Sequence, residues 1–173
     1  STMLLDTMGF PDINHSVSLN DLEIELAKEL AYRRYHECET KNVVNRKMAS
    51  RKTNKEIVES GTKSEIAFCK MMNCYPDLSY HPRKGSADCF IDGVAIDIKT
   101  TKMNEGQLLV THKKKYDGGI DVYVLMTGLD RKFTYKGWMK SEEVYQDHNM
   151  TDLGYGPTYA IKQQELHGNN YRG

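Results

Sequence analysis

The chain has 173 residues, which is enough for one domain with a substantial hydrophobic core. Its 24 basic and 24 acidic side chains cancel, so the total charge gives no argument for a nucleic-acid or membrane partner. No segment approaches the ~18 consecutive apolar residues of a membrane span, and no basic region followed by an apolar run opens the chain. We therefore expect a cytoplasmic protein without a membrane-spanning segment.

Basic side chains are nevertheless concentrated in one segment. Residues 1–32 contain six acidic side chains and one lysine, whereas residues 33–55 contain eight basic side chains and two glutamates. Two interpretations stay open from this pattern alone. The segment is either a surface that contacts phosphate groups or the solvated face of a helix.

The first helix is predicted by a capping box. Asn20 stands three residues before Glu23, a spacing at which each side chain can bond the backbone N–H of the other. Residues 1–17 are expected to be irregular, and the helix is expected to run to about Cys38. Its inner face is predicted to carry leucines four residues apart: Leu22, Leu26 and Leu30.

A second helix is predicted from Asn54 to about Asn73. Because glycine inside a helix costs about 1 kcal/mol relative to alanine, either the helix packs very closely at Gly61 or it begins after Gly61, with Thr62 as its cap. Glu65 borders the inner face, so this helix could deliver a carboxylate to a sheet. The predicted inner face consists of Ile57, Gly61, Ser64, Phe68, Met71 and Met72.

Later elements predict a single domain with a mixed sheet flanked by helices, an α/β or α+β core. The central strand is expected at 121–126, where the sequence is apolar and rich in β-branched residues. Residues 132–138 are expected to form an outer strand. The remaining predictions are a strand at 76–81, a short strand or helix start at 106–111, a short helix at 141–146 and a last strand at 158–161. We divide the chain into an N-terminal helical and basic extension (1–54), a core (55–140) and C-terminal elements (141–173).

The four cysteines lack the close pairwise spacing of zinc and iron–sulfur sites. We expect them to be free and mostly buried thiols in a reducing compartment. They are Cys38, Cys69, Cys74 and Cys89.

Residues 87–101 predict a β-hairpin. Asp92-Gly93 is the strongest short signal for a two-residue turn, and apolar residues flank it on both sides. If these two residues form the turn, three pairs face each other across the hairpin: Ile91 with Val94, Phe90 with Ala95, and Cys89 with Ile96.

In that register Asp88 lies directly opposite Asp97. Opposed residues have Cβ atoms roughly 4.5–5.5 Å apart, and like charges so placed repel. A divalent cation would relieve the repulsion, because hard cations take carboxylate oxygens. Lys99 projects from the same face. The alternative is a solvated face with scattered charges, which leaves the opposed acids unexplained.

An acid on a helix, then an aspartate, then Asp-x-Lys across a hairpin resembles the PD-(D/E)xK nuclease superfamily. The matching residues are Glu65, Asp88, Asp97 and Lys99, and the resemblance implies a restriction-endonuclease-like core. Residues 61–68, 92–101, 121–125 and 137–138 also resemble small phage-encoded nucleases of that superfamily. Two positions depart from the family pattern: Ala87 stands where the family has proline, and Asp97 stands where glutamate is more frequent.

The resemblance implies a metal-dependent endodeoxyribonuclease that acts in the cytoplasm, that of the host if the chain is phage-encoded. Asp88, Asp97 and the backbone carbonyl of Ile98 would bind Mg²⁺ or Mn²⁺, and no small-molecule cofactor is implied. Glu65 would act through water or on a second ion. Lys99 would orient the attacking water or stabilise the transition state. DNA is the implied partner, and cutting both strands would need a homodimer or a second binding event.

Basic side chains beside these residues are candidates for contacts to DNA phosphates. Alternatives that remain open are a non-catalytic nucleic-acid-binding protein on the same fold, an exonuclease or ribonuclease of the superfamily, and an unrelated domain with a chance motif. The candidates are Arg46, Arg51, Lys52, Arg83, Lys84, Lys102 and Lys113, with Lys114 and Lys115 beside the last.

Overall fold

A computed structural model describes Leu5 and residues 8–40, 51–81 and 87–168. Within these ranges the protein is a mixed α/β structure. Its helices are α1 (Asp21–Thr40), α2 (Arg51–Met72), α3 (Lys114–Asp117) and α4 (Ser141–Val144). Its strands are β1 (Ser16–Ser18), β2 (Cys89–Ile91), β3 (Val94–Thr101), β4 (Leu108–Thr111), β5 (Val122–Leu129), β6 (Lys132–Lys140), β7 (Met150–Asp152) and β8 (Pro157–Ile161).

The larger sheet has five strands in the order β1-β6-β5-β3-β2, and the smaller sheet has three in the order β4-β8-β7. Strands β3 and β5 are parallel, and the other pairs are antiparallel. The prediction that β5 is central is confirmed. The prediction that β6 is an outer strand is wrong, because Ser16–Ser18 pairs with its first residues, although the sequence predicts residues 1–17 to be irregular.

Strand β3 is buried on both faces, and this places the site described below. Val94, Ile96 and Ile98 join a core that includes α2 residues, whereas Ala95 joins a second core with residues of the smaller sheet. Because side chains alternate along a strand, Asp97 projects toward the second side and is itself buried. The sheet thus holds a carboxylate in its interior.

Helix α1 begins with the predicted capping box. The Asn20 N–H donates to Glu23 Oε1 at 2.7 Å, and the Glu23 N–H donates to Asn20 Oδ1 at 2.9 Å. The predicted leucine stripe is mostly wrong. Leu30 is buried, but Leu22 is 76% exposed and Leu26 is exposed as well. The buried face instead carries small residues, Ala27 and Ala31, together with Leu30 and Tyr35.

Helix α2 begins at Arg51, three residues before the predicted start, and it runs through Gly61 without a break. Both explanations offered for this glycine are therefore wrong, since the helix does not begin after it and a Cβ at Gly61 would meet no atom of the described residues within 4 Å. Ser64 and Phe68 are fully buried as predicted. Ile57, also predicted to face inward, is 62% exposed. Met71 and Met72 are partly buried against the core.

The end of α2 is a Schellman motif. Asn73 has φ of +52°, its N–H donates to the Lys70 carbonyl at 3.3 Å, and the Cys74 N–H donates to the Cys69 carbonyl at 2.9 Å. Cys69 and Cys89 are free and buried, as predicted, and Cys74 is free and partly buried. The side chain of Cys38 lies outside the described residues.

The strand predicted at 76–81 does not form. Two backbone carbonyls of this segment accept hydrogen bonds from one guanidinium group instead of from a neighbouring strand: Arg34 Nη2 donates to the Asp77 carbonyl at 2.9 Å, and Arg34 Nε donates to the Ser79 carbonyl at 3.2 Å. The short helix predicted at 141–146 ends at Val144. No helix among the described residues is long and apolar enough to cross a membrane.

Candidate active site

The hairpin forms in the predicted register. Ile91 faces Val94, Phe90 faces Ala95, and Cys89 faces Ile96. Both turn residues have positive φ, +49° at Asp92 and +79° at Gly93, which is the requirement of a type I′ turn. The two-residue turn therefore determines the register of the hairpin, and the same register places Asp88 opposite Asp97.

Asp88 precedes β2 and turns its side chain toward β3. Its backbone N–H donates to the Ile96 carbonyl at 2.9 Å, and its Oδ2 accepts from the Ile98 N–H at 2.7 Å. The carboxyl group is in contact with that of Asp97. The two carboxyl groups therefore lie together, as the hairpin register predicts.

One carboxylate oxygen of Asp97 forms ion pairs but no aligned hydrogen bond. Its Oδ2 is buried and receives no well-aligned hydrogen bond from the described residues. Two ammonium groups lie near it, Lys99 Nζ at 3.1 Å and Lys114 Nζ at 3.8 Å. A buried carboxylate oxygen without a hydrogen bond is costly to the free protein. A metal cation at this oxygen would join or replace the two ammonium groups.

Glu65 comes to the same place from α2. Its carboxylate contacts Asp88, and its Oε2 accepts from Arg34 Nη1 at 3.0 Å. Sequence reasoning did not assign Arg34 to the site. Its neighbour Arg33 pairs with Glu29 within the same helix, so no local signal separates the two arginines.

Two of the predicted basic side chains, Lys99 and Lys114, lie at the site. Lys114, at the first residue of α3, reaches Asp97, whereas Lys102 and Lys113 are exposed and lie outside the cavity described next. Arg51 and Lys52 lie on α2, but their side chains are outside the described residues, as are the whole residues Arg46, Arg83 and Lys84.

A cavity of about 380 Å³ joins these groups. Its two sides come from different parts of the chain. The helix side is formed by α1 and α2, and the hairpin side by β3, the two residues before β2, and α3. Residues of the segment 77–81 also line the cavity. The residues used below are Arg34, Gly61 and Glu65 on the helix side and Asp88, Asp97, Ile98, Lys99 and Lys114 on the hairpin side.

The protonation of the three acids follows from burial and from one another. Burial, the nearby Glu65 charge and contact with Asp97 raise the pKa of Asp88 to about 10. Burial also acts to raise the pKa of Asp97, but contact with Asp88 and the charges of Lys99 and Lys114 outweigh it and hold that pKa below its ordinary value. Burial raises the pKa of Glu65, opposed by Arg34. At neutral pH Asp88 therefore carries a proton and Asp97 a charge.

The donor set fits a hard divalent cation. Mg²⁺ is usually bound through one or two carboxylates and keeps several waters. Asp88 and Asp97 supply two carboxylates, Ile98 lines the same cavity, and the Asp97 Oδ2 atom has ion pairs but no aligned hydrogen bond to give up. Among the described residues, no three histidine, cysteine or acidic side chains are arranged as a complete metal site. Water and main-chain oxygen would therefore complete the coordination.

Comparisons with protein-family models, with curated proteins and with solved structures find no match to this chain. The residues that line the cavity are therefore the basis for assigning a function to it.

Proposed function

We propose that the chain is a metal-dependent nuclease that hydrolyses phosphodiester bonds in DNA, an endodeoxyribonuclease of the PD-(D/E)xK superfamily with a restriction-endonuclease-like core. The observation that carries the proposal is the contact between Asp88 and Asp97 in a cavity that also holds Glu65 and Lys99. Three acids and a lysine from one helix and one hairpin converge there, although Glu65 and Lys99 are 34 positions apart in sequence.

Asp88, Asp97 and the main chain at Ile98 would hold a Mg²⁺ or Mn²⁺ ion. Such an ion supplies Lewis acidity toward a phosphoryl oxygen and lowers the pKa of a bound water. Asp88 has to give up its proton when it becomes a ligand, because a ligating carboxylate is deprotonated. Asp97 already carries its charge at neutral pH.

Glu65 is suited to receive a proton or to orient a water through its Oε atoms. Burial raises its pKa, so the carboxylate takes up a proton more readily than an exposed glutamate does. Arg34 holds Oε2 at 3.0 Å, so the carboxylate is fixed in direction. Arg34 does not face the chemistry directly and acts as a positioning residue.

Lys99 and Lys114 supply positive charge on the hairpin side. Fixed ammonium groups stabilise negative charge that develops on a phosphate during hydrolysis. Lys99 lies closer to the Asp97 carboxylate, 3.1 Å against 3.8 Å for Lys114. We assign Lys99 to transition-state stabilisation and Lys114 to holding the phosphate. The expected products carry a 5′-phosphate and a 3′-hydroxyl.

The proposal is tested by incubating circular plasmid, linear duplex, single-stranded DNA and RNA with the protein and Mg²⁺, Mn²⁺ or EDTA. Nicking of the circular plasmid with Mg²⁺ or Mn²⁺, and none with EDTA, is the expected result. Asp97→Asn prepared in parallel should be inactive and controls for a contaminating nuclease. DNA binding without cleavage in any metal would favour a non-catalytic binding protein, and cleavage of linear substrates alone would favour an exonuclease.

A further inference from the structure

Gly61 occupies the middle of α2, the eleventh residue of a 22-residue helix. Glycine destabilises a helix interior because it loses more backbone freedom on folding than any other residue. A glycine at this position therefore calls for a physical reason.

No contact among the described residues supplies that reason. Gly61 is not among the glycines with positive φ, so its backbone conformation is open to any residue. A Cβ built on it would meet no atom of the described residues within 4 Å, so no described element requires its small size. This distinguishes it from Gly137, where a Cβ would lie 2.7 Å from the His167 carbonyl oxygen.

The open space beside Gly61 is the cavity of the candidate active site. Gly61 lines it, one helical turn before Glu65 and therefore on the same side of α2. Any side chain at this position would project into the space between α2 and the hairpin.

We propose that Gly61 keeps a bare strip of helix surface against which the sugar–phosphate backbone of the substrate strand lies while its phosphate is at Asp97 and Lys99. Glycine is the residue used where a ligand approaches a backbone closely. The occupant follows from the proposed function, because a strand cut at Asp97 has to pass this face of α2, and Lys99 and Lys114 place ammonium groups for its phosphates in the same cavity. This inference rests on the proposed function and names Gly61 as a position that determines access for the strand.

The test compares Gly61→Ala, Gly61→Leu and Gly61→Gln with wild type. Alanine should raise the melting temperature by about 2–4 °C, since it removes the helix penalty of glycine. Leucine and glutamine should lower kcat/KM for DNA cleavage by about 10²-fold, because small displacements of the reacting phosphate are costly. Both should also weaken DNA binding measured in EDTA. The Mn²⁺-induced rise in melting temperature should match that of wild type, since the ligands are untouched.

Glu56→Leu is the matched control, an exposed position of α2 outside the cavity. It should bind and cut DNA within about twofold of wild type, as expected for an ordinary surface substitution. The inference is overturned if folded Gly61→Leu and Gly61→Gln do the same while wild type cuts DNA. If wild type neither binds nor cuts any nucleic acid, the proposed function fails, and this inference fails with it. Glutamine serves as the second variant in case leucine lowers solubility.

Discussion

The two sides of the cavity differ in how well their charges are satisfied. On the helix side, Glu65 is paired with Arg34, and Arg34 also bonds two backbone carbonyls and Thr62 Oγ1, the last at 3.4 Å. On the hairpin side, Asp88 is held protonated, and the buried Oδ2 of Asp97 forms ion pairs with Lys99 and Lys114 but no aligned hydrogen bond. The helix side is therefore a hydrogen-bonded support, whereas a bound cation would stabilise the carboxylates of the hairpin side. Substitutions on each side should separate the supporting role from the cation-binding role.

The largest effect is expected for Lys99 on the hairpin side. Lys99→Ala should lower the rate of DNA cleavage by about 10²–10³-fold, as the loss of one donor to developing negative charge does elsewhere. Metal binding and most of the DNA affinity should remain, because Asp88 and Asp97 are intact. Lys99→Arg should rescue poorly, since a planar guanidinium places its donors differently from an ammonium. Cleavage time courses with metal titrations measure both. A rate within a few-fold of wild type in Lys99→Ala would make Lys99 an ordinary surface lysine.

On the helix side, the loss of Arg34 should affect stability as well as activity. Arg34→Gln leaves the Glu65 carboxylate poorly compensated, and breaking a largely buried pair costs about 3 kcal/mol. The segment containing Asp77 and Ser79 also loses two bonds to its carbonyls. Urea unfolding should show this loss. Arg33→Gln is the control, because the exposed Arg33–Glu29 pair is worth little. Equal stability of the two variants would show that the helix side is not a rigid support.

The pH dependence of stability should also reflect the difference between the sides. The folded pKa of Asp88, about 10, lies above the unfolded value of about 3.9, so the folded protein binds more protons between these values. The stability due to this group is complete below about pH 4 and is lost as pH rises through the folded pKa. The raised pKa of Glu65 acts in the same direction. The lowered pKa of Asp97 stabilises the fold at pH values above the unfolded pKa of this group. That stability is lost only as the pH falls through the folded pKa, under acid conditions.

Without divalent cations, the free energy of unfolding should therefore fall between about pH 5 and pH 9. Asp88→Asn should flatten this dependence, because asparagine does not titrate. Urea titrations at several pH values in EDTA measure it. A wild-type stability that rises across this range, or an unchanged slope in Asp88→Asn, would contradict the assignment of the proton to Asp88.

The smallest effect separates two neighbouring lysines. Lys114→Ala should weaken DNA binding and reduce its salt dependence by about one counterion, since Lys114 lines the cavity and Lys113 does not. Lys113→Ala should leave both nearly unchanged. Fluorescence anisotropy at several salt concentrations gives the affinities and slopes. Equal effects of the two substitutions would move the phosphate contact away from the cavity.

These two sides also differ in how far the sequence predicts them. The register of the hairpin follows from Asp92-Gly93, because a two-residue turn determines the pairing of its strands locally. The inner face of α1 does not follow from leucine spacing, since its buried face was set by packing against distant elements and uses Ala27 and Ala31. Side-chain periodicity alone does not say which of two stripes is buried.

The same distinction applies to individual site residues. Glu65 could be selected because it borders the inner face of α2, next to a predicted hairpin. Arg34 and Lys114 reach the site through tertiary contacts with residues 31 and 17 positions away, Glu65 and Asp97. No spacing rule distinguishes them from Arg33 and Lys113. The predicted strand at 76–81 failed for a related reason, because a side chain rather than a strand satisfies its carbonyls.

Calorimetric titration with Mg²⁺ or Mn²⁺ tests most directly whether Asp88 and Asp97 form a divalent-cation site. The titration is run near pH 7.5, a value set well below the Asp88 pKa of about 10, in buffers of different ionisation enthalpy. Wild type should bind the ion and release about one proton for each ion bound, because the Asp88 proton has to leave. Asp88→Asn should bind far more weakly and release none. Ion binding without proton release in wild type, or equal binding by Asp88→Asn, would place the ion elsewhere and contradict the account.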